Sequence, residues 1–286
     1  MFGRRQQPPV FSNARHRPSG RTSNGSAAVH LPPAPHAYTA AELHFLDEVS
    51  HQHVTQQHLF YALEHVVGVL QHHGITYGVM GGMSMVLLGN EHRITRDVDI
   101  GVDVGVPGML NAFSHDHRVY RPSPTAATTS HVAKIFVLVG GTHREPVRRL
   151  PVEVDLIRPG HPSMPRSLET ETEVVTGHTE LGPRRWNTLS LRYLFLSKLR
   201  VFHCLERDQD FRDLVWLCYR FPDDIGGFSP QLDESLRKTF FEAYKRTRPP
   251  KQKLVFIYGV LGRPGLANGS SSSRSGNRSW WRALTN

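Results

Sequence analysis

The sequence predicts a mixed α/β domain followed by a helical segment, on three observations. Four short apolar runs, at 76–80, 97–102, 132–139 and 151–157, have strand length and are bounded by Gly, Pro or charged residues. Longer stretches with apolar residues every three or four positions flank them, at 39–73, 189–219 and 232–244. Both ends of the 286-residue chain are rich in Pro, Ser, Gly and Arg without apolar periodicity, which predicts disordered tails. The resulting division is a tail over 1–38, an α/β domain over 39–185, a helical segment over 186–248 and a low-complexity tail over 249–286.

Taken in order, Thr39 is placed to cap a helix that begins Ala40-Ala41-Glu42 and continues through Phe45, Leu46 and Val49 to Leu63, Val67 and Leu70. His44, His51, His58, His65 and His72 recur every seven residues along it. Seven residues span ~10.5 Å of helix, too far for neighbours to share an ion, so the stripe reads as a polar flank and no zinc is assigned. The strand 76–80 runs into a Gly81-Gly82 turn and a short helix over 83–89. Strands follow at 97–102, 132–139 and 151–157, the last two joined by Gly140-Gly141 and a basic stretch with Arg144, Arg148 and Arg149. Beyond Trp186 the pattern turns helical as far as Tyr219. A Pro- and Gly-containing loop over 221–230 precedes a helix over 232–244. The run 254–261 is strand-sized and includes Gly259, and Trp280 and Trp281 lie near the end of the second tail.

The net charge of +9 belongs to the ends. Residues 1–41 hold five arginines and 243–286 hold nine Lys or Arg, with no acid in either segment. The remaining 20 of the 34 basic residues face all 25 acids in the middle. Basic tails of this kind give at most weak, nonspecific contact with RNA or another polyanion. Cys204 and Cys218 lie 14 positions apart on predicted continuous helix, about 21 Å and beyond disulfide reach. Two cysteines without a disulfide framework, no run approaching the ~20 apolar residues of a membrane span, and no apolar signal-peptide core predict an intracellular, cytoplasmic protein. The arginine-bearing, acid-free N-terminus has the composition of a transit peptide but shows no amphipathic helix.

The functional signal lies in residues 80–100. Asp97 and Asp99 alternate with Val98 and Ile100, so the carboxylates project together while the apolar side chains enter the core. Like charges side by side repel, and magnesium held by one or two carboxylates plus substrate phosphates suits that geometry. A two-metal site needs a further carboxylate from an adjacent strand. The segment 151–157 offers Glu153 and Asp155 on one face; Asp155 is preferred because Leu156 and Ile157 continue the buried strand, and Glu153 stays open as the alternative. Gly81 and Gly82 let the backbone approach phosphate at a helix N-terminus, and Ser84 adds a hydroxyl within that first turn. Arg93 either touches phosphate or locks the strand.

Gly81-Gly82, a helix-sized spacer, Asp97-Val98-Asp99 and a later strand acid together resemble the DNA polymerase beta-type nucleotidyltransferase superfamily. Arg93-x-Thr95-x-Asp97-x-Asp99 is similar to its AbiEii-like, minimal branch, in which a helical region carries a lysine followed by Arg-x-x-Asp-x-x-Asp. Lys198 with Arg207, Asp210 and Asp213 is similar to that pattern. The likeness covers residues 59–220; Ser84 stands where Ala is frequent, and the tails have no counterpart. The resemblance implies a nucleotidyltransferase-like mixed sheet with flanking helices. It also implies transfer of a nucleoside monophosphate from an NTP such as ATP to a hydroxyl, releasing pyrophosphate on two Mg2+ ions or Mn2+ in their place.

On that resemblance Asp97 and Asp99 hold both ions, and Asp155 holds the catalytic one and helps deprotonate the acceptor. Lys198 either neutralises triphosphate or is a surface lysine. Arg207, Asp210 and Asp213, at i, i+3 and i+6, suit a structural ion-pair ladder. The acceptor, whether small molecule, tRNA or protein, is not encoded in any residue. Two other classes compete: a noncatalytic nucleotide or partner binder on the same fold, and an RNA-binding module acting through its tails.

Overall fold

The computed structural model describes residues 34, 36–123, 131–179 and 182–262. Most of the predicted N-terminal tail, the segment 264–286 with Trp280 and Trp281, and any transit peptide lie outside the described residues. Eight strands form a mixed sheet: β1 (His36–Tyr38), β2 (Tyr77–Met80), β3 (Val98–Val102), β4 (Val119–Pro122), β5 (Val132–Val139), β6 (Leu150–Ile157), β7 (Thr172–Thr179) and β8 (Gly182–Leu189). Their order across the sheet is β1-β4-β5-β6-β3-β2-β8-β7. Helices α1 (Ala40–His53), α2 (Gln56–His72), α3 (Gly81–Leu87), α4 (Val106–Ala112) and α5 (Leu168–Glu171) accompany the strands. After β8 come α6 (Leu191–Leu205), α7 (Asp208–Arg220), α8 (Pro222–Phe228), α9 (Glu234–Arg246) and α10 (Lys251–Leu261).

Strand alternation sorts side chains between two cores. Val98, Ile100 and Val102 of β3 and Val152, Val154 and Leu156 of β6 pack with α2 and α4 in one core. The other core joins Met80, Met85, Ile157 and Met164 to the helices after Ser190. Asp99, Glu153 and Asp155 take the alternate positions and face away from the first core. Helix α1 covers part of this acidic face, and its Ser50 hydroxyl accepts from the Glu153 N–H at 3.1 Å.

The predicted Thr39 cap is present as a capping box. Thr39 Oγ1 accepts from Glu42 N at 3.3 Å, and Glu42 Oε2 accepts from Thr39 N at 2.7 Å. The structure differs from the predicted layout at several places. The stretch 39–73 is two helices, because Val54 is extended and Thr55 starts α2 with its N–H donating to His58 Nδ1 at 3.2 Å. The heptad histidines accordingly find separate partners: His65 pairs with Asp116 at 2.7 Å and His58 with the Arg148 carbonyl at 2.9 Å.

The stretch 189–219 also breaks, at Glu206, whose φ of 45° is left-handed. Cys204 and Cys218 therefore sit on different helices, as free thiols. At the N-terminal boundary, residues 36–38 of the predicted tail form a strand, held by a Tyr38 hydroxyl that donates to the Lys134 carbonyl at 2.7 Å. At the C-terminal boundary, 254–261 belongs to α10, where Phe256, Ile257, Val260 and Leu261 are buried. The division placed at 185/186 falls inside β8, and the sheet runs to Leu189. Among the described residues no helix is long and apolar enough to cross a membrane.

Candidate active site

Sheet order makes the site. β3 lies between β2 and β6, antiparallel to the first and parallel to the second. In that register Asp99 stands opposite Met80 on one side and opposite Asp155 on the other. Neighbouring strands run about 4.8 Å apart, so residues 97–99 and 155 share one patch despite their separation in sequence. Asp97, Asp99 and Asp155 are all half-buried there.

Gly81 closes the patch from the β2 side. Its φ of +61° is left-handed, and a Cβ on it would fall on the Asp99 carboxylate. Gly82 is held as closely, with Thr95 Oγ1 and Arg93 occupying the space of its missing side chain. Thr95 in turn donates to Asp97 Oδ1 at 3.0 Å. The two glycines thus let the first turn of α3 lie against the acids. Ser84, expected to offer a hydroxyl to phosphate, is fully buried, and its Oγ donates to the Gly81 carbonyl at 2.9 Å. It braces the turn instead.

The second half of the site comes from α6 and α7. Lys198 is buried, with Nζ 2.6 Å from Asp213 Oδ2 and 3.5 Å from Asp210 Oδ1. Asp213 is also buried and further binds Arg93 Nε at 3.2 Å and Gln209 Nε2 at 3.2 Å. It therefore fixes both cations expected to meet phosphate. Lys198 is not a surface lysine. Arg207 is exposed at the start of α7, apart from this cluster.

Electrostatics mark the acidic patch as strained without a cation. Burial, then the charges of Asp97 and Asp155, push the Asp99 carboxyl up to about 7. Burial also pushes Asp155 up to about 6, against the opposing pull of Lys134. Asp155 Oδ1 is buried without a hydrogen-bond partner. These features fit a divalent ion. Among the described residues no three His, Cys, Asp or Glu side chains converge as a ready-made cage. Magnesium needs none, since it takes one or two carboxylates and completes its shell with water and substrate phosphates. A groove of about 500 Å3 lined by Glu64, His65, His72, Asn111 and His115 lies between α2 and the segment after α4, away from this patch.

Residues 79–257 match the family described as nucleotidyl transferase AbiEii toxin, type IV TA system. The chain belongs to the AbiEii nucleotidyltransferase family. The match takes in the Gly-Gly turn, the acids of β3 and β6, and the Lys198–Asp213 cluster, and the chain is a nucleotidyltransferase. An antigenic nucleotidyltransferase-like protein from Paracoccidioides brasiliensis shares the fold, with a TM-score of 0.52 at 13% identity over 73% of this chain and 99% of that one. JHP933 from Helicobacter pylori aligns at a TM-score of 0.43 and 13% identity over 73% of this chain and 82% of that one. No curated protein matches the chain in sequence.

Two neighbours of the patch had no role assigned from the sequence. Thr95, there only a motif position, donates to Asp97, and Lys134 stands opposite Asp155 in the β5–β6 register while its ammonium pairs with Glu153. The available signal for Lys134 was a single charge inside the otherwise apolar Val-Ala-Lys-Ile-Phe-Val-Leu-Val run.

Proposed function

We propose that this AbiEii-family nucleotidyltransferase is metal-dependent and moves a nucleoside monophosphate from an NTP to a hydroxyl acceptor, releasing pyrophosphate. The observation that carries this reading is the register pair Asp99–Asp155, with Asp97 beside it and Gly81 closed against Asp99. Asp97, Asp99 and Asp155 would hold the metal. Two divalent ions, when bound, stabilise the attacking and leaving oxygens of an in-line displacement. Asp155 is favoured over Glu153 as the third acid. Glu153 Oε1 already receives the Lys134 ammonium and its Oε2 lies 3.2 Å from His51 Nε2, whereas Asp155 Oδ1 is buried with neither an ion pair nor a hydrogen-bond partner among the described residues.

The remaining residues act by position and charge. Gly81 and Gly82 leave room for phosphate beside the acids. Lys198 and Arg93, both gripped by Asp213, present fixed positive charge toward the triphosphate. Asp155, with its raised carboxyl, is suited to accept the proton of the acceptor hydroxyl. Incubation with each α-labelled NTP, Mg2+ and cell extract tests the reading. Label should move to one class of acceptor with stoichiometric release of pyrophosphate; pyrophosphate release without labelled acceptor would contradict transfer.

A further inference from the structure

Lys134 is the feature of the acidic face that nucleotidyl transfer leaves unexplained. It is half-buried, with 30% of its side chain exposed, and stands directly opposite Asp155 in the β5–β6 register. Directly opposed side chains have Cβ atoms about 5 Å apart, so the ammonium is within reach of Asp155. It bonds elsewhere. Its Nζ donates to Glu153 Oε1 and lies 3.4 Å from Asp47 Oδ1 on α1. The other Glu153 oxygen sits 3.2 Å from His51 Nε2. Tyr38 fixes the backbone at this point, bonding the Lys134 carbonyl and meeting Phe136 edge to face at 5.8 Å. The result is a sorted set of acids: Asp47 and Glu153 share a built-in cation, while Asp155 stays open toward Asp97 and Asp99.

We infer that Lys134 is a positioning residue whose ammonium stands where a divalent ion would otherwise lodge between Asp47 and Glu153, confining metal to Asp97, Asp99 and Asp155. The inference rests on the nucleotidyl-transfer site proposed above. Without the lysine, Asp47, Glu153 and Asp155 are neighbouring acids with only the His51 imidazole, 3.2 Å from Glu153 Oε2, beside them, and a hard cation can take one or two such carboxylates and complete its shell with water. An ion lodged there draws Asp155 away from Asp99, so transfer falls although no ligand has been lost.

Mn2+ binding to the full chain, followed by electron paramagnetic resonance without NTP, tests this independently of turnover. Lys134→Met and Lys134→Gln should each bind one more Mn2+ per chain than wild type, whereas Lys134→Arg should keep the wild-type stoichiometry. Adding Glu153→Gln to Lys134→Met should remove the extra ion and raise transfer at least about tenfold over the single variant. Equal Mn2+ stoichiometry in wild type, Lys134→Met and Lys134→Gln, each folded by circular dichroism, overturns the inference. Should both lysine variants unfold, Asp47→Asn/Glu153→Gln decides. Its freed ammonium should turn to Asp155 and weaken Mn2+ binding at least about threefold, and unchanged affinity overturns the inference. Transfer that persists in Asp97→Asn/Asp99→Asn sinks the underlying site instead and leaves the Mn2+ count to judge Lys134.

Discussion

At Asp99 the needs of folding and of chemistry oppose each other. Burial and the neighbouring acids hold its carboxyl near 7, so at neutral pH the metal-free protein carries an uncomfortable charge there. Asp99→Asn keeps the shape and removes the charge. It should raise the thermal midpoint of the metal-free protein by about 3 °C or more at pH 7.5, corresponding to about 1–2 kcal/mol. The same change should lower transfer by at least about a hundredfold, the scale of losing a metal-binding carboxylate in the transition state. Calorimetry and a labelled-NTP assay read the two effects separately. Gly81→Ala should abolish transfer for a different reason, since its Cβ would meet the Asp99 carboxylate at a left-handed φ. At this scale the sequence was informative where chemistry and pattern coincide. Asp97 and Asp99 alternate with buried residues, and Gly81-Gly82, a weak signal alone, gains meaning from standing between a strand and a helix just before them. Ser84 and Lys134 were not legible, because what a hydroxyl or an ammonium bonds depends on contacts that spacing does not encode.

Among the elements, the join between the sheet and the helices after β8 rests on one buried aspartate. Asp213 on α7 holds Lys198 of α6 and Arg93 of the segment entering β3. Removing its charge takes from Arg93 its carboxylate partner and leaves the buried Lys198 with only the longer Asp210 contact at 3.5 Å. Asp213→Asn should therefore cost roughly 3 kcal/mol in urea unfolding and raise the KM for NTP more than it lowers kcat, since the cations lose their aim. The Arg-x-x-Asp-x-x-Asp spacing suggested an ion-pair ladder within one helix, but Asp213 reaches outside its own helix. Helix breaks at Val54 and Glu206 were hidden because apolar periodicity continues on either side of each. Strands β7 and β8 were missed because much of their length is exposed, leaving little apolar alternation to read.

For the molecule as a whole, the acidic patch sets a pH dependence with a definite sign. Asp99 and Asp155 titrate in the folded state at about 7 and 6, above the ordinary carboxylate value of 3.8. Between about pH 4 and 7 the folded state thus binds more protons than the unfolded one, and these groups make stability fall as pH rises. The difference in thermal midpoint between Asp99→Asn and wild type, measured in EDTA, should widen from pH 5 to pH 7.5. Added Mg2+ should narrow it again by stabilising the folded wild type. The strand order was beyond the sequence, since nothing in residues 97–102 or 151–157 says that they pair in parallel with Asp99 opposite Asp155. That pairing turns scattered acids into a site, and one comparison tests it most directly. Wild type and Asp97→Asn/Asp99→Asn, each shown to be folded, are incubated with labelled NTP, Mg2+ and acceptor-containing extract. Labelled product and pyrophosphate should form with wild type and be lost in the double variant; transfer at the wild-type rate in the double variant would contradict the assignment of these aspartates.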